Sequence, residues 1–304
     1  MMHPFKPARS TRLSLRGLDH RVLEWGEASA PKLFMLHGWM DAAASFQFLV
    51  DAFERDWHVI APDLRGFGES AWQPQGYWFA DYLADLEALL DVYAPGEMVD
   101  LIGHSLGGNV VMQYAGVRPE RVRRLVSLEG FGIPAEPADK APKKLARWLD
   151  ALRKPPEFRP YANLDAVADR LQANNPRLTR ERALFLAPAW AETRDDATAM
   201  LRADPRHKLP FPSVYRMEEI EAIWHQIACP VLWVAASESE IPAWLGDHPE
   251  GEAATDTLAG VRRRLAHVPN GRLQTIDGAG HMLHHDQPGV VAAAIESFFE
   301  RDRG

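Results

Sequence analysis

The stretch Val99-Asp100-Leu101-Ile102-Gly103-His104-Ser105-Leu106-Gly107-Gly108-Asn109-Val110-Val111 constrains this chain more than any other. A short apolar run ends in Gly-His-Ser-Leu-Gly-Gly, and a segment with Val110, Val111, Tyr114 and Ala115 on one side follows at once. The pattern reads as a buried strand, a sharp turn and an amphipathic helix. A serine at such a turn meets the free N–H groups and positive dipole end of a helix start, which favour a developing negative charge. Gly103 and Gly107 flank it because a turn this tight brings neighbouring backbone too close for a Cβ.

Before that stretch, strand and helix signals alternate. Leu13, Leu15, Val22, Leu23 and Trp25 suggest a hairpin over residues 11–26 that turns at Gly17-Leu18-Asp19-His20 and forms the edge of a sheet. Lys32–Leu36 and His58–Pro62 are short continuous apolar runs, as expected of strands covered on both faces. Helical spacing appears at Ser45–Phe53 and through residues 78–93, where Tyr82, Leu83, Leu86, Leu89, Leu90 and Tyr93 recur.

Strand character returns at Arg124–Glu129, at Pro230–Ala236 and at Leu273–Asp277. Helices are expected around residues 257–266 and at the close, where Val290, Val291, Ala294, Ile295 and Phe298 share a face. A charged loop with Gly246, Pro249 and Gly251 separates the last two strands. The alternation predicts an α/β fold, a mostly parallel twisted sheet flanked by helices with right-handed crossovers, whose ligand site lies beyond the carboxyl ends of the strands. His37-Gly38, Asp63, Ser105 and Glu129 all fall at those ends.

Residues 132–217 break the rhythm. They are rich in Pro, Arg, Asp and Ala, show helical pieces at 145–152, 164–171 and 180–186, and offer no convincing strand. We read them as a helical cap inserted into a core made of residues 1–131 and 218–304.

Bulk properties narrow the function. A chain of 304 residues with 46% hydrophobic content builds a sizeable core, and a net charge of −8 argues against nucleic acid as a partner. The longest basic run, Arg262-Arg263-Arg264, reads as a solvated helix face. One cysteine, Cys229, excludes an intrachain disulfide framework and fits packing in a reducing cytoplasm. The start of the chain lacks a signal-peptide run, and no stretch reaches the length of a membrane span, so a soluble, cytoplasmic protein is expected. No Cys/His cluster has zinc-ligand spacing and no Gly-rich phosphate loop occurs, so neither a metal nor a cofactor is expected.

Four motifs in order, His37-Gly38-Trp39, Asp63-Leu64-Arg65-Gly66-Phe67-Gly68, Gly103-His104-Ser105-Leu106-Gly107-Gly108 and Gly278-Ala279-Gly280-His281, resemble the α/β-hydrolase superfamily across nearly the whole length. The resemblance implies Ser105 as nucleophile, His281 as general base, and the backbone N–H groups of Trp39 and Leu106 as the oxyanion hole. Chemistry asks for the same pairing, since a serine hydroxyl needs a base of suitable pKa to become nucleophilic. His284 and His285 are rivals to His281 but lack its strand-end position. His104 reads as a support of the turn, and His37 as shaping the oxyanion loop.

The acid that orients the histidine has two candidates. Many family members place an aspartate after the strand equivalent to Val231–Ala235, where this chain has Ser237-Glu238-Ser239-Glu240. Residues Arg121–Pro134 look like the segment in which haloalkane dehalogenases and serine-hydrolase-like proteins carry their acid, and they contain Glu129. Glu129 is favoured over Glu238. Asp63 and Arg65 are assigned to loop stabilisation, and Trp39, Phe67, Trp148 and Trp190 are candidates for lining an apolar acyl pocket.

These readings converge on a small-molecule acyl substrate and a cofactor-free serine hydrolase of carboxylic esters or related compounds. Amide, thioester or carbon–carbon bond hydrolysis, a lyase of the same fold, and a non-catalytic binding protein are the alternatives.

Overall fold

A computed structural model of the chain describes residues 5–246 and 256–301. The charged loop expected around Pro249 and Gly251 lies outside the described residues. The chain opens with β1 (Ala8–Leu15), β2 (Leu18–Trp25), β3 (Lys32–Leu36), α1 (Gln47–Ala52), β4 (His58–Pro62), α2 (Phe79–Tyr93), β5 (Val99–His104), α3 (Leu106–Val117) and β6 (Val122–Leu128). The middle holds α4 (Ala141–Arg153), α5 (Leu164–Asn174), α6 (Arg180–Trp190), β7 (Ala191–Thr193) and β8 (Ala199–Leu201). It closes with α7 (Met217–Trp224), β9 (Val231–Ala236), α8 (Ile241–Leu245), α9 (Ala259–Leu265), β10 (Gly271–Ile276), α10 (Leu283–Asp286) and α11 (Pro288–Arg301).

The main sheet has eight strands in the order β1-β2-β4-β3-β5-β6-β9-β10. The pairs β1–β2 and β2–β4 are antiparallel, and the pairs from β4 through β10 are parallel. Side chains alternate between faces, so neighbouring residues serve different layers. Phe34, Leu36 and Leu101 join a buried cluster with residues of α2, α3 and α7, while Leu33, Met35 and Ile102 join one with residues of α1 and α11. Burying each such side chain contributes about 1.5–3 kcal/mol. Both faces being covered is why these strands read as unbroken apolar runs.

Three details depart from expectation. The first hairpin turns at Arg16 and Gly17, not around Leu18–His20, and both residues have positive φ, 53° and 78°. A two-residue turn of that hand matches the twist of the flanking strands. The 132–217 segment contains a small hairpin, β7 with β8, and Tyr161 bridges to Ala199. Strands of three residues are too short for alternation to show in sequence. In the basic run, Arg264 is buried, because its guanidinium donates to the carbonyls of Phe131 and Ile133, whereas Arg262 and Arg263 face solvent.

Among the described residues no helix is long and apolar enough to cross a membrane. Cys229 is buried, and its surroundings push the thiol pKa up to about 12.

Candidate functional site

Ser105 stands between β5 and α3 with φ 52° and ψ −111°, a conformation rare for a residue with a Cβ. Neighbouring backbone holds it there. The Ser105 N–H donates to Leu128 O at 2.8 Å, and Gly107 N–H donates to His37 O at 3.1 Å. A Cβ on Gly103 would meet Gly107 O at 2.2 Å, and one on Gly107 would meet Leu36 O at 2.1 Å. Only glycine permits the approach.

His281 arrives from the loop after β10. Its Nε2 lies 3.0 Å from Ser105 Oγ, and its Nδ1 lies 3.3 Å from Glu129 Oε2. With hydrogen on Nδ1, the ring donates to the carboxylate and offers Nε2 to the serine hydroxyl. Glu129, one residue past β6 and itself at φ 57°, is buried. Ala236 N–H donates to Oε1 at 2.7 Å, and the Ser239 hydroxyl donates to Oε2. The loop after β9, where many family members carry an aspartate and where Glu238 was the alternative acid, thus supplies a hydroxyl that steadies Glu129. Glu238 points away into solvent, half-exposed and paired with Arg177.

His37 and Asp63 secure the neighbouring loops. His37 Nδ1 donates to Gly38 O, and its Nε2 accepts from Leu64 N–H at 2.9 Å. Burial holds this imidazole below its ordinary pKa, so it stays neutral. Asp63 accepts from Ala43 N–H, Glu69 N–H and Arg21 Nε. Arg65 binds Asp85 through two nitrogens at 2.5 Å. None of these three approaches Ser105 by a hydrogen bond.

Trp39 and Leu106 flank the nucleophile from two loops. Leu106 opens α3, so its N–H belongs to the helix start that has no intrahelical acceptor. Trp39 follows Gly38, whose position is so close to the nucleophile that a Cβ there would lie 3.3 Å from Ser105 Cβ.

A cavity of about 810 Å³ opens over these groups and is lined by Ser105, His281, Trp39 and Trp190, with Val167, Leu171, Leu178 and Leu186 supplying an apolar wall. Two aromatics expected there lie elsewhere. Phe67 is fully buried and stacks on His207 at 3.7 Å, while Trp148 packs near Trp78 beside a second hollow. The lining also includes Glu157, Arg159, Arg170 and Lys208, residues that no motif marked. The segment between β6 and β9 supplies most of this wall and is tied to the strand ends by Trp190 Nε1 donating to Asp41 and by Arg182 donating to His285 O.

His284 and His285 are buried on α10 behind His281, and neither touches Ser105. His104, also buried, donates from Nε2 to the backbone oxygen of His281 at 2.9 Å and so holds the loop that presents that ring.

Comparison with known proteins gives a concordant picture. The family model described as alpha/beta hydrolase fold matches residues 31–288. A serine hydrolase-like protein of Danio rerio is 35% identical over 287 residues, covering 91% of this chain and 83% of that protein. A solved structure of a hypothetical protein from Pseudomonas aeruginosa superposes with a TM-score of 0.83 at 27% identity, covering 96% of this chain and 99% of that one. The thioesterase domain from the curacin biosynthetic pathway shares the fold with a TM-score of 0.81 at 22% identity, covering 95% and 99%.

Proposed function

The chain belongs to the alpha/beta hydrolase family and is a hydrolase, and on that premise we propose that it is a serine hydrolase of carboxylic esters or related acyl compounds, working through Ser105, His281 and Glu129. One observation carries the reading. Ser105 Oγ, His281 and Glu129 form an unbroken line of contacts at 3.0 and 3.3 Å, with Ser105 and His281 lining the cavity and Glu129 buried behind them.

In this reading Ser105 Oγ attacks the substrate carbonyl carbon as His281 Nε2 takes its proton. The backbone N–H groups of Trp39 and Leu106 hold the oxyanion. His281 then gives the proton to the leaving oxygen, the carbon–oxygen bond breaks, and an acyl group remains on Ser105. Water attacks that acyl carbon, passing its proton to His281, and the serine leaves with the proton returned. Glu129 keeps the ring in the right tautomer and opposes its positive charge.

Residues 132–217 act as a helical cap that supplies the acyl wall. Arg159, Arg170 and Lys208 of the cavity lining have no ion-pair partner among the described residues, and the lining's acids are Asp41 and Glu157. This favours a substrate that carries a negative charge. The lone buried cysteine fits a cytoplasmic setting.

A fluorophosphonate probe tests the reading. Wild-type protein is expected to be labelled at Ser105 and Ser105→Ala not at all; a wild-type chain that takes no label, or labelling and ester turnover that persist in Ser105→Ala, would overturn the reading.

A further inference from the structure

Beside the nucleophile three buried polar atoms find no protein partner. They are Asp41 Oδ2, His104 Nδ1 and His284 Nδ1, on residues exposed by 5%, 1% and 0%. Leaving one such atom unsatisfied costs about 1–3 kcal/mol, so three in one place call for an explanation. The same three residues bring one ligating atom each within 4.8 Å of the others. They come from separate parts of the chain: the loop after β3, the end of β5, and α10.

The rest of each side chain is already committed. Asp41 Oδ1 accepts from Trp190 Nε1 at 3.1 Å. His104 Nε2 carries hydrogen and donates to His281 O, which leaves Nδ1 as a bare lone pair. His284 Nε2 lies 3.3 Å from Ser45 Oγ, and that hydroxyl lies 2.7 Å from His285 Nε2. Burial, reinforced by neighbouring histidines, keeps His104 and His284 neutral, the form that ligates metal.

We propose that Asp41, His104 and His284 form a binding site for a divalent transition-metal cation such as Zn²⁺, through which the metal reversibly inhibits the neighbouring site. Two imidazoles and a carboxylate are a donor set that zinc accepts. Tetrahedral bonds of about 2.0–2.2 Å set donor atoms about 3.3–3.6 Å apart, and the three atoms lie within 4.8 Å of one another, so side-chain rotations that draw them in by about an ångström complete the set. Asp41 and His104 line the same cavity as Ser105 and His281, which gives the ion a way in.

Inhibition follows from position. A Cβ on Gly38 would lie 2.9 Å from His104 Nδ1, so an ion on that atom presses on the loop bearing the Trp39 N–H. The His104 and His281 rings are 4.8 Å apart, so an ion held by His104 sits one ring away from the side chain that faces Ser105.

Calorimetric titration of the full chain with zinc chloride near neutral pH, in a buffer that does not chelate, tests the site without reference to catalysis. One zinc per chain is expected, with affinity falling at least about tenfold in Asp41→Asn, which retains the acceptor for Trp190, and again in His284→Gln. A surface group competes, since His267 Nδ1 lies 3.2 Å from His225 Nε2 and its Nε2 lies 3.5 Å from Glu221. His267→Ala must therefore leave the tight zinc in place. Cobalt absorption supplies a second readout, with visible bands of low-symmetry Co²⁺ in wild type and in His267→Ala that vanish in Asp41→Asn. Zinc binding that survives Asp41→Asn and His284→Gln, or that disappears with His267→Ala, overturns the proposal, as does a wild-type chain that takes up no zinc. If the site is right, zinc also slows fluorophosphonate labelling and a chelator restores it; failure of that arm alone would count against inhibition and leave the ion site standing.

Discussion

At the ends of β5 and β6 two residues with side chains sit in the left-handed region, Ser105 at φ 52° and Glu129 at φ 57°. Each is held by backbone: Ser105 N–H by Leu128 O, Glu129 N–H by Val234 O, with glycines packed against carbonyls around the turn. The segment over them is held differently. Trp190, Arg182 and His207 each reach the core through a side chain, Asp204 adds one backbone bond to Gly66 O at 2.8 Å, and Val167, Leu171 and Leu186 form a small cluster against Phe48 of α1. In the proposed reading the chemistry rests on strained backbone, about 1–3 kcal/mol per residue, that its neighbours hold in place, and selection rests on side chains that can be exchanged without disturbing it.

The sharpest way to break that division is Ser105→Ala. It is expected to abolish probe labelling and lower kcat on a p-nitrophenyl ester by about 10⁶, the scale seen when a serine nucleophile is removed, with the melting temperature hardly changed. Activity persisting near the wild-type level would move the chemistry off the β5 end altogether.

The next effect separates the two carboxylates. Glu129→Gln keeps the bonds from Ala236 and Ser239 in reach but loses the charge facing His281, and kcat is expected to fall by about 10⁴. Glu238→Gln breaks only a surface pair with Arg177, worth about 0–1 kcal/mol, and should leave kcat within a few-fold. A large loss in Glu238→Gln with Glu129→Gln intact reverses the assignment. A third variant, Ser239→Ala, should lie between them.

How much of this was legible in the sequence follows the same division. The strand-end positions of Ser105, His281 and Glu129 could be read because buried parallel strands announce themselves as apolar runs and each residue follows one. Choosing between Glu129 and Glu238 could not be settled that way, since it depends on which side of the β9 loop faces His281. The signal that was present, Ser239 where an aspartate is usual, gains its meaning only when its hydroxyl is seen donating to Glu129. The β7–β8 hairpin and the inward turn of Arg264 were illegible for a shared reason: three-residue strands and a single arginine reaching two carbonyls leave no periodic trace. That Asp41 meets His284 was illegible because residues 243 positions apart come together only through the sheet's topology.

The join between the two regions should respond to acid. His207 lies between the rings of Phe67 and Tyr77, at 3.7 and 3.6 Å, and burial pushes its pKa down to about 3. Above pH 6.5 folded and unfolded chains both hold it neutral, and it adds no pH dependence. Below that value the unfolded chain binds a proton that the folded one refuses, so stability falls as pH falls toward about 3. One such group contributes up to about 1.4 kcal/mol per pH unit. Denaturant titrations between pH 6.5 and 5 should therefore show a shallower slope in His207→Gln than in wild type, by up to that amount. Equal slopes would mean that His207 takes up its proton without leaving the stack.

The smallest effect tests the basic side chains of the cavity lining, which in the proposed reading choose the substrate. Arg159 and Arg170 are exposed, so water and salt screen them, and an exposed charge pair contributes only about 0.2–1 kcal/mol. Replacing both by glutamine should raise KM about 2–10-fold for a p-nitrophenyl ester whose acyl chain ends in a carboxylate, and leave a neutral ester of equal length unchanged. The difference should shrink as ionic strength rises, which packing loss would not do. Since neither arginine touches Ser105, His281 or Glu129, kcat for both esters should stay at the wild-type value; a fall in kcat for the neutral ester would show that the two regions are coupled and that selection is not separable from the chemistry beneath it.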